Sequence, residues 1–292
     1  MILRKDWHIH SMYSTSCGCP KASIEKVYLQ AKAAGIEEFG ITDHLHTFAN
    51  VPSLKSARRE FDSLDADSSF HFGVELSCVR EDDIIYSKSA LSKNIHGLSP
   101  TERESPLAVC IPEELLDILK FEYIIGGVHW SFCDMRDRMN VIRSYHKQHM
   151  FLIQHPLVDI IAHPWWWEHD DYKDAQGKYN SFPWFDNFEV IPQSIHDEFI
   201  AAAIEYDKAI EINPEATFLY ELFSERFRKQ YLEYLQMLKQ SGVRLSIGTD
   251  QHSNGYIPRL QVYESYIDNL GINESDLWDI SMSKILKANL KS

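Results

Sequence analysis

The sequence has little of what secreted, membrane-spanning or nucleic-acid-binding proteins need. No apolar run approaches the roughly 18 residues of a membrane-spanning helix, and the N-terminal segment shows no secretory signal. Cysteines number only five, an odd count that does not suggest a disulfide framework and favours a reducing cytoplasm. Basic residues are also short: the net charge of −14 argues against binding long nucleic acid. A small anionic substrate stays compatible with this charge, because bound metal ions can invert the local field. No membrane partner is expected, and the oligomeric state is left open.

The chain also lacks internal repeats, low-complexity tracts and a glycine-rich G-x-G-x-x-G turn. What recurs along its 292 residues is a short apolar strand followed by a helical pattern. Seven strands are predicted, near 6–10 and in "EEFGITDH", "SSFHFGVELS", "FEYIIGGVHW", "VDIIAHP", "DKAIEIN" and "VRLSIGTD". Helices are predicted within 22–35, 141–155, 222–242 and 274–290. This alternation favours a parallel sheet of the α/β class, closed as a barrel with insertions, with an open doubly wound sheet as the alternative.

Side chains that can bind metal stand at the C-terminal ends of six of the seven predicted strands. In order along the chain they are His8 and His10, Asp43 and His44, Glu75, His129, His163, and Asp250 and His252. The strand ending at Glu211–Asn213 is the exception, and no strong ligand is expected there. In a parallel barrel these ends converge on one face. Imidazoles with carboxylates suit Zn²⁺, Mn²⁺ or Fe²⁺, and a bridging carboxylate can hold two ions roughly 3.5–4 Å apart.

Each residue also has an ordinary structural interpretation. A single histidine at a strand end is more often a hydrogen-bonded structural residue than a ligand, and 14 histidines make some coincidence expected. Placement at the same end of so many strands is harder to obtain by chance. The remaining histidines lack that position and are expected to be structural or on the surface: His46, His71, His96, His146, His149, His155, His169 and His196.

The ordered motifs resemble the PHP phosphoesterase family, in particular its histidinol-phosphatase-like members. The resemblance rests on "HIH", "ITDH", "GVE", "GGVHW", "DIIAHP" and "TDQH", and "IEIN" (210–213) is similar to a segment of those members. It implies a distorted, TIM-like (β/α)₇ barrel, the PHP fold, as a single domain over 1–292 with insertions near 80–112 and 165–193. It also implies a cluster of two or three divalent metal ions (Zn, Mn or Fe).

The resemblance further implies how the ligands are shared. One metal would take His8, His10, Glu75 and Asp250; a second would take Glu75 as a bridge with His129 and His163; a third would take His44 and His252. One position departs from the family: Ser16 stands where members with three metals often have a histidine. Either the third metal is weakly held or Cys17 or Cys19 replaces the imidazole; ordinary free thiols are the alternative for both cysteines.

The expected activity is that of a metal-dependent phosphomonoesterase, in which a metal-bridging hydroxide attacks the phosphate ester of a small substrate. Asp250, His252 and Arg259 are the residues expected to act in catalysis, with Arg259 on the phosphate and Arg136 and Arg138 as weaker candidates. L-histidinol phosphate, from histidine biosynthesis, is the leading substrate. The alternatives are a PHP phosphodiesterase or nucleotide hydrolase, and a non-catalytic metal-binding module. Tryptophans after His163 either wall a ring-bearing substrate or pack a long loop.

Overall fold

The centre of the molecule consists of short, mostly parallel strands. The computed structural model describes residues 4–15, 22–89, 94–100, 104–133, 137–166, 184, 186–256 and 266–289. The strands are β1 Lys5–Ile9, β2 Glu38–Ile41, β3 His44–Leu45, β4 Phe70–Phe72, β5 Val74–Ser77, β6 Val79–Arg80, β7 Leu107–Ala108, β8 Ile124–Gly127, β9 Ile160–Ile161, β10 Ala209–Ile212 and β11 Arg244–Ile247. Seven of the strand positions are those predicted, with β2/β3 and β4/β5 each splitting one predicted strand in two.

Two parallel sheets carry the predicted strands. One has the order β1-β2-β4 and the other β11-β10-β9-β8-β5-β3, while β6 and β7 form a separate antiparallel pair. The predicted α/β class with parallel strands is therefore confirmed. The two sheets meet where β1 passes the end of β11: Ile9 forms an isolated parallel bridge with Gln251, and the Asp250 N–H donates to the His8 carbonyl at 2.7 Å. Closure of both sheets into one barrel stays a prediction.

The helices lie around these sheets and follow the predicted pattern except near the C-terminus. They are α1 Ile24–Ala33, α2 Val51–Ser63, α3 Glu81–Ser87, α4 Glu113–Leu119, α5 Arg138–Gln154, α6 Gln193–Glu205, α7 Pro214–Thr217, α8 Glu225–Gln240 and α9 Lys284–Asn289. The ends of α1 show how local sequence signals define a helix. At its start, the Ser23 side chain accepts a hydrogen bond from the Lys26 backbone N–H. Gly35 then follows the helix in the left-handed region at φ +80°.

The prediction of one helix over 274–290 is wrong. The segment instead contains 3₁₀ turns at Glu274–Asp276 and Ile280–Met282 before α9. Between the turns the chain is extended, and the Trp278 N–H donates to the Leu245 carbonyl at 2.7 Å. The Trp278 indole packs edge-on against Trp7 at 4.9 Å between ring centroids. Pairing with β11 and burial of one indole therefore outweigh the local helical preference.

A small hydrophobic cluster, separate from the main core, packs around three aromatic rings. It consists of Trp7, Tyr123, Ile125, Ile160, Ala162, Ala209 and Trp278. The Tyr123 hydroxyl donates to the Trp7 carbonyl at 2.7 Å. Gly40 and Gly73 make room for this ring, because a Cβ at Gly73 would lie 2.7 Å from Tyr123 ring carbons and one at Gly40 would overlap its hydroxyl. Aromatic packing thus fixes the relative positions of β2, β4 and β8.

A buried histidine away from the strand ends gives a prediction about stability and pH. His71 Nδ1 lies 2.8 Å from a Glu122 oxygen and Nε2 lies 3.7 Å from Glu38. Burial lowers the pKa of His71, but the two carboxylates outweigh it and raise the pKa to about 9. The folded pKa exceeds the unfolded value of about 6.5, so the stabilisation is complete below that pH and is lost as the pH rises through about 9.

His71→Gln is therefore expected to lower the free energy of unfolding by roughly 1.5–3 kcal/mol more at pH 6 than at pH 10. Urea unfolding of the wild type and the variant at both pH values measures this difference. A deficit that is the same at both pH values would show that only packing, such as the contact with Trp7, is lost.

Candidate metal centre

Two histidines of β1 begin the site and point to the same face of the strand. His8 lies within β1 and His10 follows one residue after its end, and both side chains are buried. Residues two apart in a strand share a face. Their Nε2 atoms are 3.0 Å apart, so both imidazoles aim at one point.

Glu75, on β5, occupies the centre of the site. Its Oε1 lies 3.1 Å from Nε2 of both His129 and His163. Its Oε2 lies 2.7 Å from His44 Nδ1, 3.2 Å from His8 Nε2 and 3.4 Å from His10 Nε2. One buried carboxylate therefore faces five imidazoles that come from four other strands or strand ends, a position from which it could bridge two metal ions.

Asp250 and His252 complete the site at the end of β11. Asp250 Oδ1 lies 3.0 Å from His10 Nε2 and 3.3 Å from His252 Nδ1. The His252 ring lies 4.0 Å from that of His10 between centroids, and its Nδ1 donates to the Asp250 carbonyl at 2.7 Å. Asp250 at φ +52° and His163 at φ +26° have backbone conformations that residues other than glycine rarely adopt. Such conformations are typical of functional sites.

The structure thus brings together all eight residues predicted as ligands. Ligand atoms within 4.8 Å of one another form three groups: His8, His10 and Glu75; His44, Glu75 and His129; and His10, His44 and His252. His10, His44 and Glu75 each belong to two groups, so the groups share ligands more than the resemblance implies. Arg259, Arg136, Ser16, Cys17 and Cys19 lie outside the described residues, and Arg138 is the first residue of α5.

The donor atoms fit divalent cations. Glu75 Oε2 and His44 Nδ1 are buried and only 2.7 Å apart, yet neither makes a hydrogen bond with any described residue. Asp250 Oδ1 is likewise buried without a hydrogen-bond partner in the described part of the chain. Buried polar atoms without partners are costly, and imidazole nitrogens with carboxylate oxygens are the ligands that Zn²⁺, Mn²⁺ and Fe²⁺ take.

The charges around the site favour the metal-binding protonation state for some of these groups only. Burial lowers the pKa values of His8, His10 and His163, but the nearby carboxylates outweigh it and raise them, so a metal would compete with protons for these three imidazoles. Burial raises the pKa of Glu75, but the surrounding histidines outweigh it and hold the pKa well below its usual range. Burial also raises the pKa of Asp250, and His8 and His10 again hold it well below normal. Burial lowers the pKa of His44 well below its usual value, so this imidazole is neutral. Both carboxylates are therefore ionised and His44 offers a free lone pair.

Glu211, on β10, contacts the site although the sequence gave it no role there. Its Oε1 lies 2.7 Å from His8 Nδ1, and its Oε2 accepts a hydrogen bond from the His163 backbone N–H at 2.7 Å. Asn213 Nδ2 donates to both Glu211 Oε2 and Asp250 Oδ2, at 3.1 and 3.2 Å. Glu211 and Asn213 therefore orient His8, His163 and Asp250 through hydrogen bonds to atoms other than those proposed to bind metal. They are two apart at a strand end, as His8 and His10 are, and this shared spacing was the available clue.

Gly248 leaves the room that this arrangement needs. A Cβ there would lie 2.5 Å from His8 Cβ and would overlap Glu211 Oε1. We expect Gly248→Ala to displace both side chains and to weaken zinc binding roughly 10–100-fold, as loss of a group that orients a ligand does. A matched control is Gly126→Ala, whose Cβ would meet Leu152 and Val158 instead of the site. Competition with a chromogenic chelator measures the affinity, and equal affinities in the two variants would contradict the prediction.

The tryptophans after His163 divide between the two interpretations left open by the sequence. Trp165 and Trp184 are fully buried, and the Trp184 indole N–H donates to the Trp165 carbonyl. Both indole rings pack against Tyr145 of α5. Trp166 is half-buried instead, with its ring 5.4 Å from that of His163. Trp166 therefore lies beside the site, whereas Trp167 is outside the described residues.

Comparison with known proteins agrees with this geometry. A model of the PHP domain family matches residues 6–215. A probable phosphatase from Acetivibrio thermocellus is 26% identical over 260 residues, 89% of this chain and 84% of the relative. Another from Caldicellulosiruptor bescii is 22% identical over 267 residues, 91% of this chain and 87% of the relative.

A solved structure shares the fold. The crystal structure of histidinol phosphate phosphatase from Lactococcus lactis, complexed with zinc, L-histidinol and phosphate, matches with a TM-score of 0.57. The match is 18% identical and covers 95% of this chain and 99% of that one.

None of the helices described here is long and apolar enough to span a membrane.

Proposed function

The chain belongs to the PHP domain family, and we propose that it is a metal-dependent phosphomonoesterase acting on a small phosphorylated substrate, with L-histidinol phosphate the first choice. The observation that carries the proposal is the Glu75 carboxylate, buried among five imidazole nitrogens within 3.4 Å. The names of the relatives support phosphatase activity. The zinc complex of the structural neighbour supports both the metal and the substrate.

We also propose the finer architecture: one cytoplasmic domain over 1–292, with insertions near 80–112 and 165–193, closed as a distorted (β/α)₇ barrel. Support for closure comes from the junction of β1 and β11. There the Asp6 carboxylate accepts the Thr249 N–H at 3.0 Å and the Thr249 hydroxyl at 2.6 Å. The same carboxylate accepts the Tyr256 hydroxyl at 2.8 Å. These bonds tie the first strand to the last, as barrel closure requires.

The proposed ligands are His8, His10, His44, Glu75, His129, His163, Asp250 and His252, for two or three ions of Zn, Mn or Fe. Such ions, when bound, lower the pKa of water and neutralise charge on phosphoryl oxygens. The chain's own contribution is to hold the two carboxylates ionised and to fix the imidazoles through buried hydrogen bonds. Glu211 supplies one of these bonds, to His8.

The open side of the site indicates where substrate would enter. The Asp250 and His252 side chains are 15% and 27% exposed, whereas those of Glu75, His8 and His10 are not exposed at all. We therefore assign Asp250 and His252 to catalysis, because the substrate would meet them first. Arg259, seven residues beyond His252 in the sequence, is assigned to the phosphate. Trp166, whose ring lies beside that of His163, is proposed to contact the leaving group.

The test is phosphate release by the purified protein with and without added Mn²⁺ or Zn²⁺. L-histidinol phosphate is compared with an aryl phosphate and a nucleoside monophosphate, with His163→Ala as the control. Fast metal-dependent turnover of histidinol phosphate alone, lost in the variant, is the expected result. Preference for the nucleotide would overturn the substrate assignment. Metal binding without any turnover would leave a phosphodiesterase, and no metal binding would leave a non-catalytic module.

A further inference from the structure

A hydrogen-bonded chain leads from the proposed metal ligand His129 to a histidine that the site has not used. His129 Nδ1 lies 2.8 Å from the Ser77 hydroxyl oxygen, and the same oxygen lies 2.6 Å from His46 Nδ1. All three side chains are buried. Ser77 is the last residue of β5, two residues after Glu75, so it lies on the same face of the strand.

If His129 binds metal, the donor and the acceptor in each of these two hydrogen bonds are fixed. The Nε2 atom of His129 is the one that faces Glu75, so a metal there leaves the hydrogen on Nδ1. That N–H must donate to the Ser77 oxygen. No other acceptor for the Ser77 hydroxyl occurs among the described residues, so its single hydrogen goes to His46 Nδ1. The hydrogen of a neutral His46 is then on Nε2.

The Nε2 atom of His46 has no hydrogen-bond partner in the described part of the chain, although it is buried. The ring is held firmly: it stacks on His44 at 4.5 Å between centroids, and the Asn50 side chain accepts its backbone N–H at 2.9 Å. Trp130, half-buried, contacts the His46 ring edge-to-face at 5.0 Å. A buried N–H without an acceptor is costly, because it has lost its hydrogen bond to water and gained none in return. An acceptor is therefore expected to arrive with a ligand.

We propose that His46 donates a hydrogen bond from Nε2 to an oxygen of the bound phosphoryl group, and that ligation of His129 fixes this polarity through Ser77. The inference rests on the proposed function, because it needs a metal on His129 and a phosphoryl ligand. It changes the role of His46 from a structural histidine, as its sequence position suggested, to a substrate contact. Because its ring stacks on that of His44, His46 lies at the edge of the proposed metal centre.

The tautomer of His46 is the direct test, and it is independent of turnover. Protein labelled with ¹⁵N at histidine is loaded with zinc and studied by long-range ¹H–¹⁵N correlation, with His46 assigned by its loss in His46→Asn. The expected result is hydrogen on Nε2 in the loaded wild type and loss of this fixed tautomer in Ser77→Ala. Hydrogen on Nδ1 of His46, with zinc bound, would overturn the inference and leave the proposed function standing.

Binding of inorganic phosphate to the zinc-loaded variants gives the second arm. Glutamine places an amide N–H near the position of Nε2, whereas asparagine reaches only as far as Nδ1. His46→Asn should weaken phosphate binding about tenfold, and His46→Gln by no more than about threefold. Equal losses in both variants, or none, would contradict the proposed contact. Failure of the wild type to bind zinc at all would instead overturn the proposed function, and this inference with it.

Discussion

Glu75→Gln is expected to lower phosphatase kcat by at least about 10³-fold and to remove at least one equivalent of tightly bound metal. The amide is nearly isosteric with the carboxylate but carries no charge, and one of its two ends is a donor. Both oxygens of Glu75 face imidazole nitrogens at 2.7–3.4 Å. An NH₂ group at either end cannot bind a cation. Metal content after gel filtration and kcat at saturating Mn²⁺ measure the two effects.

A control separates the loss of the bridge from general damage. Glu38→Gln also changes a carboxylate on a strand of these sheets, but Glu38 lies at the first residue of β2 and pairs with Lys5. It should keep the metal content and a kcat within about threefold of the wild type. Full metal content and near-normal kcat in Glu75→Gln would show that the Glu75 carboxylate is structural and does not bind ions.

Much of the proposed site could be predicted because parallel strands bring their C-terminal ends together. His8, Glu75 and Asp250 are more than 60 residues apart from one another in the sequence, yet each was placed by a single rule about strand ends. The rule needs only the strand pattern and the direction of the chain. It does not need the exact register, which explains why splitting the predicted strand at Gly73 did not disturb the position of Glu75.

The rule fails where a residue acts through another residue. Glu211 was assigned no role because it stands alone among apolar neighbours in "IEIN", and a strand end without histidine gave no reason to expect a ligand. Its partner His8 is 203 residues away, so nothing local marks the contact. The rule also excludes His46, because the predicted strand ends at His44. Its partner Ser77 is 31 residues away, and serine carries no pattern of its own. The C-terminal helix failed because pairing of Trp278 with β11 is also a long-range contact.

Glu211→Gln tests how much the hydrogen bonds that orient a proposed ligand contribute to metal affinity. Glu211 faces three donors: His8 Nδ1–H, the His163 backbone N–H and the Asn213 side-chain amide. Glutamine can satisfy only one side of this arrangement. If its NH₂ group faces His8, it donates to Nδ1 and shifts the imidazole hydrogen to Nε2, the atom that would bind the metal. If its NH₂ group faces His163 instead, buried donors oppose each other at a cost of roughly 1–3 kcal/mol.

Either orientation weakens the site, so zinc affinity should fall about 10–100-fold and kcat/KM should fall by a similar factor at limiting metal. Excess zinc should restore much of kcat/KM, because the ligands themselves are intact. This recovery distinguishes Glu211→Gln from Glu75→Gln, in which added metal cannot replace the missing bridge. The matched control is Glu205→Gln, an exposed carboxylate at the end of α6, which should leave zinc affinity within about twofold. An unchanged zinc affinity in Glu211→Gln would mean that His8 keeps its orientation without this carboxylate, through the backbone of β1 alone.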